Sequence, residues 1–152
     1  MKRIAIGLVR RLSDDGWRWL AEWNGNESFF EFVQSECLER ESPREAISRE
    51  VSWRMELDRS RDLLVCNMAQ ADLEVDSTRQ GDPLALPQRV SFYNVELYGK
   101  RVVGKINLLP GVAWLSSQEI CKGVTLDNRP INPDQHWLVS KFQVIQHWES
   151  SQ

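Results

Sequence analysis

The stretch "ERESPREAISREVSWRMEL", residues 39–57, gathers the residues best suited to chemistry in this chain. Carboxylates spaced along a helix can hold a hard divalent cation, which takes oxygen ligands and neutralises charge on a phosphate. Glu41 and Glu50 begin such a pattern, but Trp53 and Arg54 stand where further carboxylates would serve it. Glu50, Trp53 and Arg54 are spaced i, i+3 and i+4, so they share one helix face. Arg54 can therefore reach Glu50 and supply the positive charge that a metal would bring. It would also repel Mg²⁺, since unit charges ~4 Å apart interact by several kcal/mol at an effective dielectric near 20. Glu50 has two readings: a residual metal ligand or general base, or half of an intrahelical pair with Arg54. The pair is favoured, because such pairs are routine on helices. Trp53 reads equally as an aromatic platform for a base or partner and as packing against neighbouring loops.

Elsewhere the chemistry is thin. Glu96 and Glu119 could lend a carboxylate, though a solvated glutamate is the commoner identity of either. His136 and His147 fall on the last helix, away from any recognisable nucleophile, and read as surface or packing residues. The chain has no G-x-S-x-G elbow, no P-loop and no G-x-G-x-x-G. Cys37, Cys66 and Cys121 are odd in number and far apart, which favours neither zinc nor a disulfide framework and suits a reducing cytoplasm.

The elements that must position these residues belong to one domain of 152 residues, long enough to bury a core. A hydrophobic content of 41% and a charged content of 27% describe an ordinary globular chain. The formal net charge of -3 gives no electrostatic reason to expect nucleic acid or an anionic membrane. The apolar run Ile4–Val9 is too short for a signal sequence, and no run approaches the ~20 residues that span a bilayer.

Ile4–Val9 and Trp17–Trp23 read as strands joined through "SDDG", with Gly16 free to take a positive φ. Trp17, Trp19, Ala21 and Trp23 alternate onto one face. Most of the seven tryptophans belong in the core, yet Trp17, Trp19 and Trp23 equally offer a surface for a homodimer. Ser42, Pro43 and Glu45 form a capping box that opens a helix over about residues 43–55. Leu63–Ala71, Val90–Tyr98 and Val102–Leu108 read as strands, and Asp76–Gln88 as a long loop. Ser116 and Glu119 form a second capping box. Asn132 opens a last helix to about Trp148, with Leu138, Phe142 and Ile145 in one apolar stripe. The order β-β-α-β-β-α-α with a mixed sheet predicts helices packed on a central sheet.

With those elements placed, residues 39–57 resemble the Nudix box, which runs G, five residues, E, seven residues, then REUxEExGU with U aliphatic. Glu41 matches the first glutamate, Arg49-Glu50-Val51 matches R-E-U, and Leu57 the closing aliphatic. Ser42, Pro43 and Ala46 are similar to what commonly follows that first glutamate. Upstream, "FFEFVQSE" is similar to the entry segment, with Val33, Gln34 and Ser35 replacing Pro-Gly-Gly. Downstream, Trp114-Leu115-Ser116 and Glu119-Ile120 are similar to the family's "WL…EEL" segment.

The resemblance implies an α/β/α sandwich around a mixed sheet and, in active members, Mg²⁺ or Mn²⁺ held by box glutamates on a nucleoside diphosphate derivative. In this chain the EE pair is Trp53-Arg54, the first Gly is Ser35 and the closing Gly is Glu56. Only Glu50 remains of the three metal-serving carboxylates, so any metal there is weakly held or absent. The resemblance gives Glu41 and Arg49 a structural role, fixing the loop before the helix. The expectation is a degenerate site that binds a nucleotide-like ligand or a protein partner through Trp53 and Arg54. The alternative is a metal-dependent diphosphate hydrolase with ligands recruited from Glu36, Glu39, Glu56, Glu96 or Glu119.

Overall fold

The computed structural model describes residues 1–75 and 87–145. Its frame is β1 (Lys2–Ser13), which turns through Gly16 at φ +111° into β2 (Gly16–Asn24). β3 (Phe29–Glu31) pairs with β2, and β4 (Val33–Glu36) pairs with β1. After α1 (Pro43–Arg54) come β5 (Leu63–Val65), β6 (Ala71–Val75) and β7 (Gln88–Leu97). Then follow α2 (Lys100–Asn107), β8 (Val112–Leu115), α3 (Ser117–Lys122) and α4 (Pro133–Lys141). β1 and β7 run parallel along nine paired residues, Lys2↔Gln88 to Arg10↔Glu96, and the other strand pairings are antiparallel. The sheet is therefore mixed.

Alternation along β1 gives the sheet two apolar faces. Ala5 and Val9 join Ile47, Val51, Val102 and Ile106, so α1 and α2 cover one face. Ile4, Ile6 and Leu8 join Phe92, Ile120, Leu138 and Val139, so α3 and α4 cover the other. Gly7 lets α1 lie close on β1: a Cβ there would sit 3.1 Å from Ile47 Cγ2. Arg44 ties the start of α1 to the sheet by donating to the Val65 carbonyl at 2.8 and 3.0 Å. These layers make an α/β/α arrangement. No helix among the described residues is long and apolar enough to cross a membrane.

Several expected elements take another form. Residues 102–108 are not a strand; α2 covers most of them. Val102 and Ile106, four apart, are both fully buried, while Arg101 and Lys105 on the same spacing bond Asp62 at 2.8 and 3.2 Å. That four-residue period outweighs the β-preference of two valines. Leu63–Ala71 is interrupted rather than continuous, with β5 and β6 pairing along successive stretches of β7. The last helix stops at Lys141, since Gln143 turns left-handed at φ +52° and ends the spiral. Val144 and Ile145 are then buried, whereas Phe142 is partly exposed beside Trp137. Trp148, His147 and residues 76–86 of the expected loop lie outside the described residues, and Gln88 belongs to β7. The tryptophan face is no common outer surface: Trp19 is buried in the core and Trp23 packs edge-on to Phe30 at 5.0 Å.

Candidate functional site

Both capping boxes form, and the first determines where α1 begins. The Ser42 side chain accepts from the Glu45 N–H while Glu45 accepts from the Ser42 N–H. From that start, Ala46, Ile47 and Val51 turn to the sheet. Arg49, Glu50 and Arg54 line the side facing the neighbouring carboxylates, and Trp53 stands 76% exposed.

The charged residues form a continuous ladder. Arg49 places Nε and Nη2 on the two oxygens of Glu41, each at 2.9 Å, and Nη2 also donates to Ser35 Oγ at 3.1 Å. Glu41 further accepts the Leu38 N–H at 3.0 Å, so it joins the preceding loop to the helix. Arg49 Nη1 reaches Glu50 at 3.3 Å. Arg54 donates from Nε to Glu50 at 3.1 Å and from Nη1 to Glu22 on β2 at 2.7 Å. Glu41, Arg49, Glu50, Arg54 and Glu22 thus alternate in sign along one surface.

The ladder also sets the titration of its members. The Arg49 hydrogen bonds, against the opposing effect of burial and with the Leu38 N–H assisting, lower the Glu41 pKa to about 2. The Glu41 bond in turn raises Arg49. Burial works to lower Arg54, but its bonds to Glu22 and Glu50 outweigh that and raise it. Both arginines remain cations throughout the accessible range.

A divalent cation would need the same oxygens. Glu22 and Glu50 converge, but the guanidinium lies against both, and a hard cation is repelled by a fixed positive charge. Among the described residues, no group of three or more His, Cys, Asp or Glu is placed to hold a metal ion. With Arg54 bonded to both, Glu22 and Glu50 are not free to hold Mg²⁺ or Mn²⁺ in this arrangement.

The other candidate carboxylates are scattered or engaged. Glu96 accepts from Arg10 Nε at 2.8 Å, and Glu36 meets Lys2 at 3.9 Å. Glu119 is a cap: one oxygen accepts the Ser116 N–H, the other the Leu126 N–H at 2.9 Å. Glu39 is exposed. Glu56 is exposed too and occupies a left-handed position at φ +55° just past α1. His136 donates from Nε2 to the Cys121 carbonyl, 3.0 Å away, and serves packing.

Two participants escape a reading of the sequence. Glu22 alternates away from the tryptophans of β2, which places a lone carboxylate on the α1 side, but its partner depends on strand-to-helix register. Gln135, almost fully buried on α4, accepts the Phe32 N–H at 2.8 Å and donates to Gln34 at 3.0 Å. It lines a cavity of about 200 Å³ bordered by β1, β4, β7 and α4.

No family model and no curated protein matches this sequence. Solved structures do match the fold. The C. elegans Ap4A hydrolase is 13% identical over 94% of this chain and 96% of that one, at a TM-score of 0.65. The chain has a Nudix-like fold. A mutT/nudix family protein from Listeria innocua is similar at 13% identity, 93% and 91% coverage and a TM-score of 0.60. Shewanella oneidensis NrtR is similar at 11% identity and a TM-score of 0.64, and this chain covers 64% of it. NrtR has also been solved with a 27mer DNA. At these identities the likeness establishes the Nudix-like architecture, with its mixed sheet between helices.

Proposed function

We propose that this Nudix-like chain uses the exposed end of α1 to bind a nucleotide-like ligand or a protein partner, with metal-dependent diphosphate hydrolysis impaired. The observation that carries this is Arg54, bonded at once to Glu22 and Glu50 where a divalent cation would need those oxygens. A guanidinium offers five N–H donors and Arg54 spends two on the carboxylates, so a phosphate oxygen has donors left to approach. Trp53, one residue before it and largely exposed, presents a surface on which a base can stack. Glu41 and Arg49 hold the approach loop in place and take no part in chemistry.

Calorimetric titration with ADP, ADP-ribose and NAD in the absence of Mg²⁺ tests the ligand. Binding weakened by Arg54→Ala supports the nucleotide version, and no heat with any of them leaves the protein-partner version. The NrtR complex makes a DNA duplex a necessary further titrant, although the net charge of -3 argues against it here. The likeness to an Ap4A hydrolase supports the second reading, a Mg²⁺- or Mn²⁺-dependent hydrolase with non-standard carboxylates. Turnover of a nucleoside diphosphate derivative that Glu50→Gln abolishes would establish it. The free thiols of Cys37, Cys66 and Cys121 suit the cytoplasm as its place of action.

A further inference from the structure

β7 ends at Leu97, and its last pair with β1 is Arg10↔Glu96, whereas β1 continues to Ser13 with β2 alongside. α2 leaves immediately beyond, from Gly99. The strand overhang and the helix border an open cavity of about 510 Å³, a size that suits a small organic ligand. None of Glu22, Glu41, Arg49, Glu50 and Arg54 lines it. Along β2, Trp17 in this cavity is five residues from Glu22, or roughly 17 Å at strand spacing.

Three features of the wall point to an anion. Arg11 and Lys100 line the cavity, and among the described residues neither has a carboxylate partner. Glu96, the acid in the wall, is already neutralised by Arg10. Arg11 lies over Trp114 at 4.9 Å with its Nε buried, so the Nη groups are the donors a ligand would meet. The N-terminus of α2 has no side-chain cap, and its N-cap Gly99 and first residue Lys100 line the same cavity.

Two further features shape the ligand. Trp17 is 39% exposed with the Arg10 guanidinium 4.3 Å above its ring, giving the cavity a flat aromatic and cationic wall. Gly104 sits in the middle of α2, where glycine weakens a helix. Nothing crowds it: a Cβ there would meet no atom within 4 Å. Packing therefore does not demand glycine, and its effect is to leave the helix wall of the cavity clear.

We propose that this cavity is a second binding site, for a small organic anion in which a flat ring carries a phosphate or carboxylate group. The ring lies along Trp17 and Arg10, and the anionic group meets Lys100, Arg11 and the start of α2. The site is separate from the α1 surface and stands or falls independently of it.

The test is calorimetric titration of the full chain with phenyl phosphate, benzoate and inorganic phosphate. Saturable binding of phenyl phosphate or benzoate is expected, with inorganic phosphate at least about ten-fold weaker for want of ring contacts. Which of the two ring anions binds tighter identifies the anionic group. Gly104→Leu should abolish binding by filling the cavity while keeping or improving the helix, as circular dichroism would show. Lys100→Glu, on an exposed side chain, should weaken binding by about ten-fold or more. Arg54→Ala should leave it unchanged. Absence of binding by both ring anions, or binding that survives Gly104→Leu in a folded protein, would overturn the proposal. So would inorganic phosphate binding as tightly as the ring anions.

Discussion

If the Arg54 guanidinium takes the place of a divalent ion, removing it should leave a protein that is weaker and newly responsive to metal. Arg54→Ala deletes two charge-assisted hydrogen bonds, at 2.7 Å to Glu22 and 3.1 Å to Glu50, and leaves the two carboxylates facing each other. The three side chains are 34%, 27% and 14% exposed, so water screens the pairs only in part. That setting lies between exposed ion pairs and buried ones, and the expected loss is about 1–3 kcal/mol. For a chain of this size the melting temperature should fall by about 2–12 °C.

Mn²⁺ should then return part of the loss. A cation present at a hundred times its dissociation constant stabilises by about 2.7 kcal/mol, or roughly 5–11 °C. The parent protein should shift by less than about 1 °C in the same titration, because Arg54 already satisfies both carboxylates. Arg54→Lys keeps the charge without the planar fork, and should lose stability while remaining insensitive to Mn²⁺. Differential scanning fluorimetry with and without Mn²⁺ reads all three proteins. A parent protein stabilised by Mn²⁺ as strongly as Arg54→Ala would refute the reasoning, and so would a destabilised Arg54→Ala that Mn²⁺ leaves unmoved.

Other perturbations probe the frame. Glu56→Gly should stabilise by up to about 1–2 kcal/mol in urea unfolding, since Glu56 holds a left-handed φ of +55° that glycine adopts freely. Glu41, lowered to about 2 by Arg49, contributes stability that is fully present above its unfolded value near 4.5. That contribution should fade as pH falls from about 5 to 2, and Glu41→Gln should flatten the acid limb of the stability curve. Gly104→Ala should raise helix stability by about 0.5–1 kcal/mol, as a Cβ there meets open space.

Local signals in the sequence located the elements whose cause is local. Both capping boxes, the Gly16 turn and the alternation of β2 follow from residues a few positions apart, and each forms as expected. The failures have non-local causes. Val102-Val103 favours a strand by propensity, but Asp62, some forty positions earlier, gathers Arg101 and Lys105 onto one helical spacing. The break between Val65 and Ala71 likewise arises from how β5 and β6 share β7. No window centred on residues 63–71 contains that partner.

At the site, i to i+4 spacing was enough to bring Arg54 to Glu50, and the box spacing was enough to pair Glu41 with Arg49. Glu22 could not be read in the same way, and it changes the chemistry. With Glu50 alone, Arg54 would be one half of an ordinary helical pair, readily displaced by a cation with phosphate oxygens to share. With Glu22 added, a metal must displace a guanidinium bonded to two carboxylates at once. It must also leave that guanidinium somewhere, and the neighbouring acid, Glu41, already accepts both forks of Arg49. On the proposed reading the barrier to metal entry belongs to the whole ladder, which is why substituting Arg54 tests it more sharply than substituting Glu50.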